Sequence, residues 1–147
     1  MNISTKKFFS SIGIRINNCY GLSETTGAMS LLYDDQFDKF DLESCGIPLD
    51  FNDAITDLQT GEIMIKGRSV FMGYLNQPEE TKKCFRDGYF LTGDLGKIDD
   101  QGRLFIVGRS KELLITAAGE NVAPYPIETA LMDRLSQLAS YIIVIGD

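Results

Sequence analysis

From Glu62 to Ala117 the chain repeats one pattern: a short run rich in β-branched and aromatic residues, then a polar break that contains glycine or aspartate. EIMIK at 62–66 stops at Gly67-Arg68, GYFLT at 88–92 stops at Gly93-Asp94, and ELLITA at 112–117 stops at Gly119-Glu120-Asn121. RLFIV at 103–107 follows the turn Asp99-Asp100-Gln101-Gly102. Runs of this length and composition read as strands, and their spacing predicts a mostly antiparallel sheet joined by turns. The same reading makes Val70–Leu75 a strand, makes Ile12, Ile14 and Ile16 the buried face of another, and sets turns at Gly46-Ile47-Pro48 and at Asp57–Gly61. CYGLSETTG at 19–27 reads as a loop. Two stretches carry helical signals. Gln77–Phe85 has Pro78 in its first turn and Glu79-Glu80 near its positive end. After Pro124 and Pro126, the residues Ile127, Leu131, Leu135 and Leu138 form a stripe that Arg134 interrupts. Tyr141–Ile145 reads as an apolar strand of a domain expected to continue beyond it.

Composition removes several function classes. With 147 residues, 44% hydrophobic, the chain is long enough for one ordinary core or parts of two. A formal charge of -7, from 14 basic and 21 acidic residues, repels phosphate backbones unless a basic patch is assembled locally. The longest basic clusters are the pairs Lys6-Lys7 and Lys82-Lys83, so a nucleic-acid partner is not expected. Cys19, Cys45 and Cys84 are odd in number and lack CxxC spacing, which supports neither a disulfide framework nor a zinc site and favours a reducing, cytoplasmic setting. There is no histidine, so any acid–base or metal chemistry must use other groups. No run is long and apolar enough for a transmembrane span; peripheral contact with intracellular membranes is left open.

Four segments in order, CYGLSETTG, GEIMIKGRSVFMGYLN, GYFLTGDLG and GRLFIVGRSKELLITAAGENVAPYPIE, resemble the adenylate-forming superfamily of acyl-CoA synthetases, luciferases and peptide-synthetase adenylation domains. ITAAGENVAPYPIE with the lysine of GRSKE is most similar to the bubblegum-type long-chain fatty acyl-CoA synthetases. The resemblance implies ATP-dependent activation of a fatty acid through an acyl-adenylate, then transfer to coenzyme A, with Mg²⁺ as cofactor. It implies an adenine-side ring at Tyr20, close backbone approach at Gly21, a phosphate-side hydroxyl at Ser23 with Thr25 nearby, and a metal-holding, catalytic carboxylate at Glu24. Asp94 and Arg109 would serve the ribose or a phosphate, Lys111 would be the catalytic hinge of a rotating lid, and Gly119 would leave passage for the pantetheine arm. Ordinary readings stand beside these: a core tyrosine, a solvated Ser-Glu loop, turn residues, a surface ion pair, a turn glycine. Gly67 and Gly73 are given only a structural part.

The implied fold is α+β, a distorted antiparallel β-barrel subdomain of a large domain followed by the start of a small α/β lid domain. Its divisions are 1–30 for the end of the large-domain core with the adenine-side loop, 31–108 for the barrel, 109–111 for the hinge and 112–147 for an incomplete lid. By the same resemblance the phosphate loop and acyl tunnel belong upstream and a catalytic lysine downstream, so the chain is expected to be part of a longer enzyme and inactive alone. The alternatives are another adenylate-forming enzyme, such as a peptide-synthetase adenylation domain, and a non-catalytic nucleotide-binding or structural fragment.

Overall fold

The computed structural model describes residues 3–32, 42–116 and 119–146. The chain divides into two compact units, one of Asn17–Ile106 and one of Met1–Ile16 with Val107–Asp147. The larger unit is built on antiparallel strands. β1 (Cys19–Leu22), β2 (Gly27–Leu31) and β3 (Ile47–Pro48) form one sheet in that order. β4 (Asn52–Thr56), β5 (Glu62–Gly67), β7 (Tyr89–Ile98) and β6 (Phe85–Arg86) form the other, in the order β4-β5-β7-β6, with β8 (Leu104–Arg109) also on β7. The two sheets are stitched at both margins. Cys45 donates to the Leu104 carbonyl at 2.7 Å and Leu104 donates back to Gly46 at 2.9 Å, while the Asn52 side-chain amide of β4 donates to the Met29 carbonyl of β2 at 3.3 Å. The result is a curled, distorted antiparallel half-barrel, and with the helices the fold is α+β.

Its interior is small and tightly closed. Met29 from β2, Ile63 and Ile65 from β5 and Leu104 from β8 are fully buried, and Tyr20, Cys45, Ala54, Val70, Ile98 and Ile106 pack around them. A short helix α2 (Pro78–Lys83) lies within the predicted stretch, and the predicted turns at Asp57–Gly61 and Asp99–Gly102 form, whereas Gly46-Ile47-Pro48, expected to be a turn, supplies β3, where Ile47 pairs with Leu31. Each turn is held by its own aspartate. Asp57 Oδ1 accepts from the amides of Gln59 and Thr60, and Asp99 Oδ1 accepts from those of Gln101 and Arg103. An ion pair between Arg86 and Asp57 ties β6 to the first turn.

In the other unit, α1 (Ile3–Ser11), the hairpin β9 (Leu114–Ile115) with β10 (Asn121–Val122), and α3 (Pro124–Leu135) are the regular elements. Four sequence expectations change here. Ile12, Ile14 and Ile16 lie outside any strand, and Ile12 and Ile14 are exposed. A helix precedes them and Gly13 ends it. With φ +78°, Gly13 donates to the Ser10 carbonyl at 3.0 Å while Ile14 donates to Phe9 at 2.9 Å, the double bond of a Schellman stop. Tyr141–Ile145 makes no ladder among the described residues, and Tyr141, Ile143 and Ile145 are exposed. ELLITA shortens to Leu114–Ile115 behind a 3-10 turn at Ser110–Glu112, and Ala117 lies outside the described residues. The second helix starts at Pro124 itself, so both prolines sit in its first turn, and it ends before Leu138.

Candidate functional site

CYGLSETTG is not a loop but a β-hairpin. β1 and β2 pair antiparallel with Cys19 opposite Leu31 and Leu22 opposite Gly27, and the register slips between Tyr20 and Gly21. The connection is a 3-10 turn, Ser23–Thr25, closed by Thr26 at φ 58°. Thr25 holds this turn together: its hydroxyl accepts from the Leu22 amide at 2.8 Å and faces the carbonyls of Leu22 and Gly27 at 3.0 and 2.8 Å. Thr25 is buried, so its hydroxyl is spent on the turn. Ser23 is exposed at the tip and Glu24 is half-buried. Gly21 has a local reason to be glycine. A Cβ there would collide with the carbonyl of Gly27 across the hairpin.

The Thr-Gly-Asp segment lies inside β7, not after a strand. β7 pairs with β5 through Leu91 opposite Met64 and Leu95 opposite Glu62, so Thr92, Gly93 and Asp94 together face the single residue Ile63. The bulge is fastened on each side. Thr92 Oγ1 donates to the Ile63 carbonyl at 2.6 Å and accepts from the Asp94 amide at 3.1 Å, and the Gly93 amide donates to Glu62 Oε1 at 2.7 Å. Gly93, at φ +73°, supplies the left-handed residue that a bulge of this kind requires. Bulges re-aim side chains, and this one turns Asp94 inward to 4% exposure.

Tyr20 meets that carboxylate. Its phenol donates to Asp94 Oδ2 at 2.6 Å, across 74 residues of sequence. At this length the bond is a charge-assisted one, and the Tyr20 ring also packs against the Met29–Ile63–Ile65–Leu104 cluster. The phenol and the aspartate are therefore brought together by one hairpin and one bulge, and the turn of that hairpin bears Glu24.

Glu24 has its own clamp. Tyr74 donates its hydroxyl to Glu24 Oε1 at 2.8 Å, and the Phe71 amide donates to the Glu24 carbonyl at 2.8 Å. The Tyr74 phenol is pushed up to about 12, first by its hydrogen bond to Glu24 and then by burial. These contacts arise because Val70–Leu75, expected to be a strand, is an irregular segment folded back over the turn, with Met72 and Leu75 left exposed. Tyr74 was missed in the sequence although it belongs to a recognised segment, GEIMIKGRSVFMGYLN; an aromatic residue two positions after an exposed methionine gives no periodic signal.

Arg109, Lys111 and Gly119 belong to the other unit. Arg109 ends β8 and is exposed, Lys111 sits exposed in the Ser110–Glu112 turn, and Gly119 takes φ +81° in the β9–β10 connection, where its amide donates to Thr116 at 2.8 Å. A Cβ at Gly119 would meet no atom within 4 Å, so the left-handed turn is the constraint on that position.

A magnesium site can be tested against these residues. Among the described residues no group of three or more Cys, Asp or Glu gathers to hold a metal. Glu24 accepts from Tyr74 through Oε1, and the exposed Ser23 precedes it in the turn. This fits Mg²⁺ held by one carboxylate together with substrate phosphates and water, and does not fit a dedicated cage.

The sequence pattern of the AMP-binding enzyme family matches residues 1–75. The chain belongs to that family. Among curated members it is 42% identical over 144 residues to the long-chain-fatty-acid–CoA ligase heimdall of Drosophila melanogaster, covering 97% of this chain and 21% of that protein. It is also 42% identical over 152 residues to the long-chain-fatty-acid–CoA ligase ACSBG1 of Rattus norvegicus, covering 100% of this chain and 20% of that protein. A similar solved structure is O-succinylbenzoate coenzyme A synthetase of Bacillus subtilis in complex with ATP and magnesium ion, with a TM-score of 0.81 at 27% identity over 91% of this chain and 30% of that one. The chain thus spans about a fifth of the length of the curated relatives it matches. For this AMP-binding family member, the recognised segments and the folded site draw on the same residues. No helix among the described residues is long and apolar enough to cross a membrane.

Proposed function

We propose that this chain carries the nucleotide- and metal-facing part of an ATP-dependent long-chain fatty acid–CoA ligase, which forms an acyl-adenylate and then passes the acyl group to coenzyme A. The observation that carries the reading is the Tyr20–Asp94 hydrogen bond, because it joins a flat ring, on the hairpin whose turn bears Glu24, to a buried carboxylate. A carboxylate that accepts one hydroxyl at 2.6 Å has the chemistry to accept a ribose hydroxyl in its stead, and the ring offers adenine a face. Glu24 and Ser23 supply hard oxygens that would hold Mg²⁺, which would supply charge neutralisation for the phosphates. The ligase names of relatives at about 42% identity, and the ATP and magnesium of the Bacillus subtilis structure, support this assignment.

The remaining roles follow the same reading. Arg109 supports the ribose or a phosphate, Lys111 is the hinge of the lid and Gly119 lines the passage for coenzyme A. The chain is partitioned at 1–30, 31–108, 109–111 and 112–147, and the enzyme works in the cytoplasm with fatty acid, ATP and coenzyme A as substrates. The test is titration of ATP with Mg²⁺ into the ¹⁵N-labelled chain. Shifts centred on residues 20–25 and 92–94, and lost in Asp94→Ala, are expected. Shifts confined to other surfaces, or unchanged in that variant, would refute the reading.

A further inference from the structure

We infer that Tyr74 is a positioning residue for the Glu24 carboxylate, fixing which of its oxygens faces a metal ion. The inference rests on the reading that Glu24 holds Mg²⁺. A glutamate has three side-chain torsions, so the direction of its carboxylate depends on the hydrogen-bond partners that select among rotamers. The segment that sets it returns across the hairpin at residues 69–74. Thr26 Oγ1 donates to the Ser69 carbonyl at 2.8 Å, the Phe71 amide to the Glu24 carbonyl at 2.8 Å, and the Tyr74 hydroxyl to Glu24 Oε1 at 2.8 Å. Backbone and side chain of Glu24 are thereby held by residues about fifty positions away.

Tyr74 is itself immobilised. Its amide donates to Thr81 Oγ1 at 2.8 Å, and that hydroxyl donates onward to the Gln77 carbonyl at 2.9 Å. Its ring stands edge-on to Phe71, centroids 4.9 Å apart, within a group that includes Phe85 and Phe90. Gly73 makes this possible: at φ +146°, a Cβ there would run into the Thr81 side chain that holds Tyr74. The glycine without apparent chemistry thus has a reason in the clamp.

The choice of tyrosine also has a chemical logic. A lysine at this place would orient the carboxylate but neutralise it and compete with a divalent cation. A neutral phenol donates to one oxygen and leaves the negative charge and the second oxygen available, the arrangement by which outer hydrogen-bond partners orient metal ligands. Loss of such a partner typically weakens metal affinity by about 10- to 100-fold.

The experiment titrates Mn²⁺ with ATP into the chain labelled with ¹³C at glutamate carboxyls, in the wild type, Tyr74→Phe and Glu24→Gln. Paramagnetic broadening registers even weak, millimolar binding. Phenylalanine keeps the ring among Phe71, Phe85 and Phe90, and the ¹⁵N spectrum shows whether each variant is folded. The expected result is selective broadening of the Glu24 resonance at a Mn²⁺ concentration about tenfold higher in Tyr74→Phe than in wild type, with loss of the Phe71 and Thr26 amide shifts that mark the site in Glu24→Gln. Broadening of Glu24 at the same concentration in both proteins would overturn the inference and leave the metal reading standing. Absence of selective broadening at Glu24 in the wild type would overturn both. If Tyr74→Phe does not fold, Thr81→Val, which frees the Tyr74 amide from its anchor without touching the phenol, must produce the same weakening, and an unchanged midpoint there refutes the clamp.

Discussion

Replacing Tyr20 by phenylalanine isolates one hydroxyl at the centre of the site. The ring remains against Met29, Ile63, Ile65 and Leu104, so little apolar burial is lost. What disappears is a 2.6 Å donor to the carboxylate of Asp94, which is 4% exposed. Hydrogen bonds to charged groups contribute about 1.5–3 kcal/mol net, and the buried acceptor loses a donor that water cannot readily replace. Tyr20→Phe should therefore destabilise the folded chain by about 2 kcal/mol. With a urea m-value near 1–1.5 kcal/mol/M for a unit of this size, the midpoint falls by roughly 1.3–2 M. The chain has no tryptophan, so far-UV circular dichroism is the suitable probe. A double-mutant cycle with Asp94→Asn assigns the loss to the pair: in that background the hydroxyl meets a neutral acceptor, and its removal should cost about half as much. The ring face survives in Tyr20→Phe, so ATP binding should not weaken in proportion to stability. A destabilisation below about 0.5 kcal/mol, or identical losses in both backgrounds, would refute the claim that this bond fixes the buried carboxylate.

Gly21→Ala drives a Cβ into the Gly27 carbonyl, so it should cost more than the usual 1–3 kcal/mol of overpacking, read as loss of the folded urea baseline, whereas Gly119→Ala meets open space and should cost only the left-handed strain, about 1 kcal/mol. Asp57 is held below its usual 3.8 chiefly by the amides of Gln59 and Thr60, so it contributes stability above that value that is lost as pH falls through its lower folded value; Asp57→Asn should flatten the acid limb of a plot of thermal midpoint against pH, and an unchanged slope below pH 4 would contradict this.

The sequence was legible where local chemistry decides structure. Aspartate and glycine at 57–61 and 99–102 make their turns by hydrogen bonds to amides two to four residues away, and EIMIK and RLFIV carry the β-branched residues of strands and become β5 and β8. Where pairing partners decide, it was not. CYGLSETTG is too rich in glycine, serine and threonine to show alternation, yet it pairs because β2 supplies a ladder. Ile12–Ile16 shows alternation and has no ladder among the described residues, while the signal that mattered was Gly13 as a helix stop. The bulge at Thr92–Asp94 interrupts the two-residue period of β7, so one ten-residue strand looked like a strand and a turn. Val70–Leu75 misled in the opposite sense, since its apolar residues include two that are fully or largely exposed.

The candidate site shows the same division more sharply. Tyr20, Glu24 and Asp94 stood out because each lies in a recognisable segment, but the reason each side chain points as it does resides in a partner the segment does not contain. Asp94 faces inward because Thr92 and Glu62 fasten a bulge; Glu24 is directed because Tyr74 reaches it from fifty residues away. Such supports are ordinary polar or aromatic residues in sequence, and only pairing across the sheet gives them a task. The consequence for substitution is specific: changes at Thr92, Glu62 or Tyr74 should alter the direction of the Asp94 or Glu24 carboxylate while leaving Tyr20, Glu24 and Asp94 in place, so a chain can keep its candidate site residues and still lose their geometry.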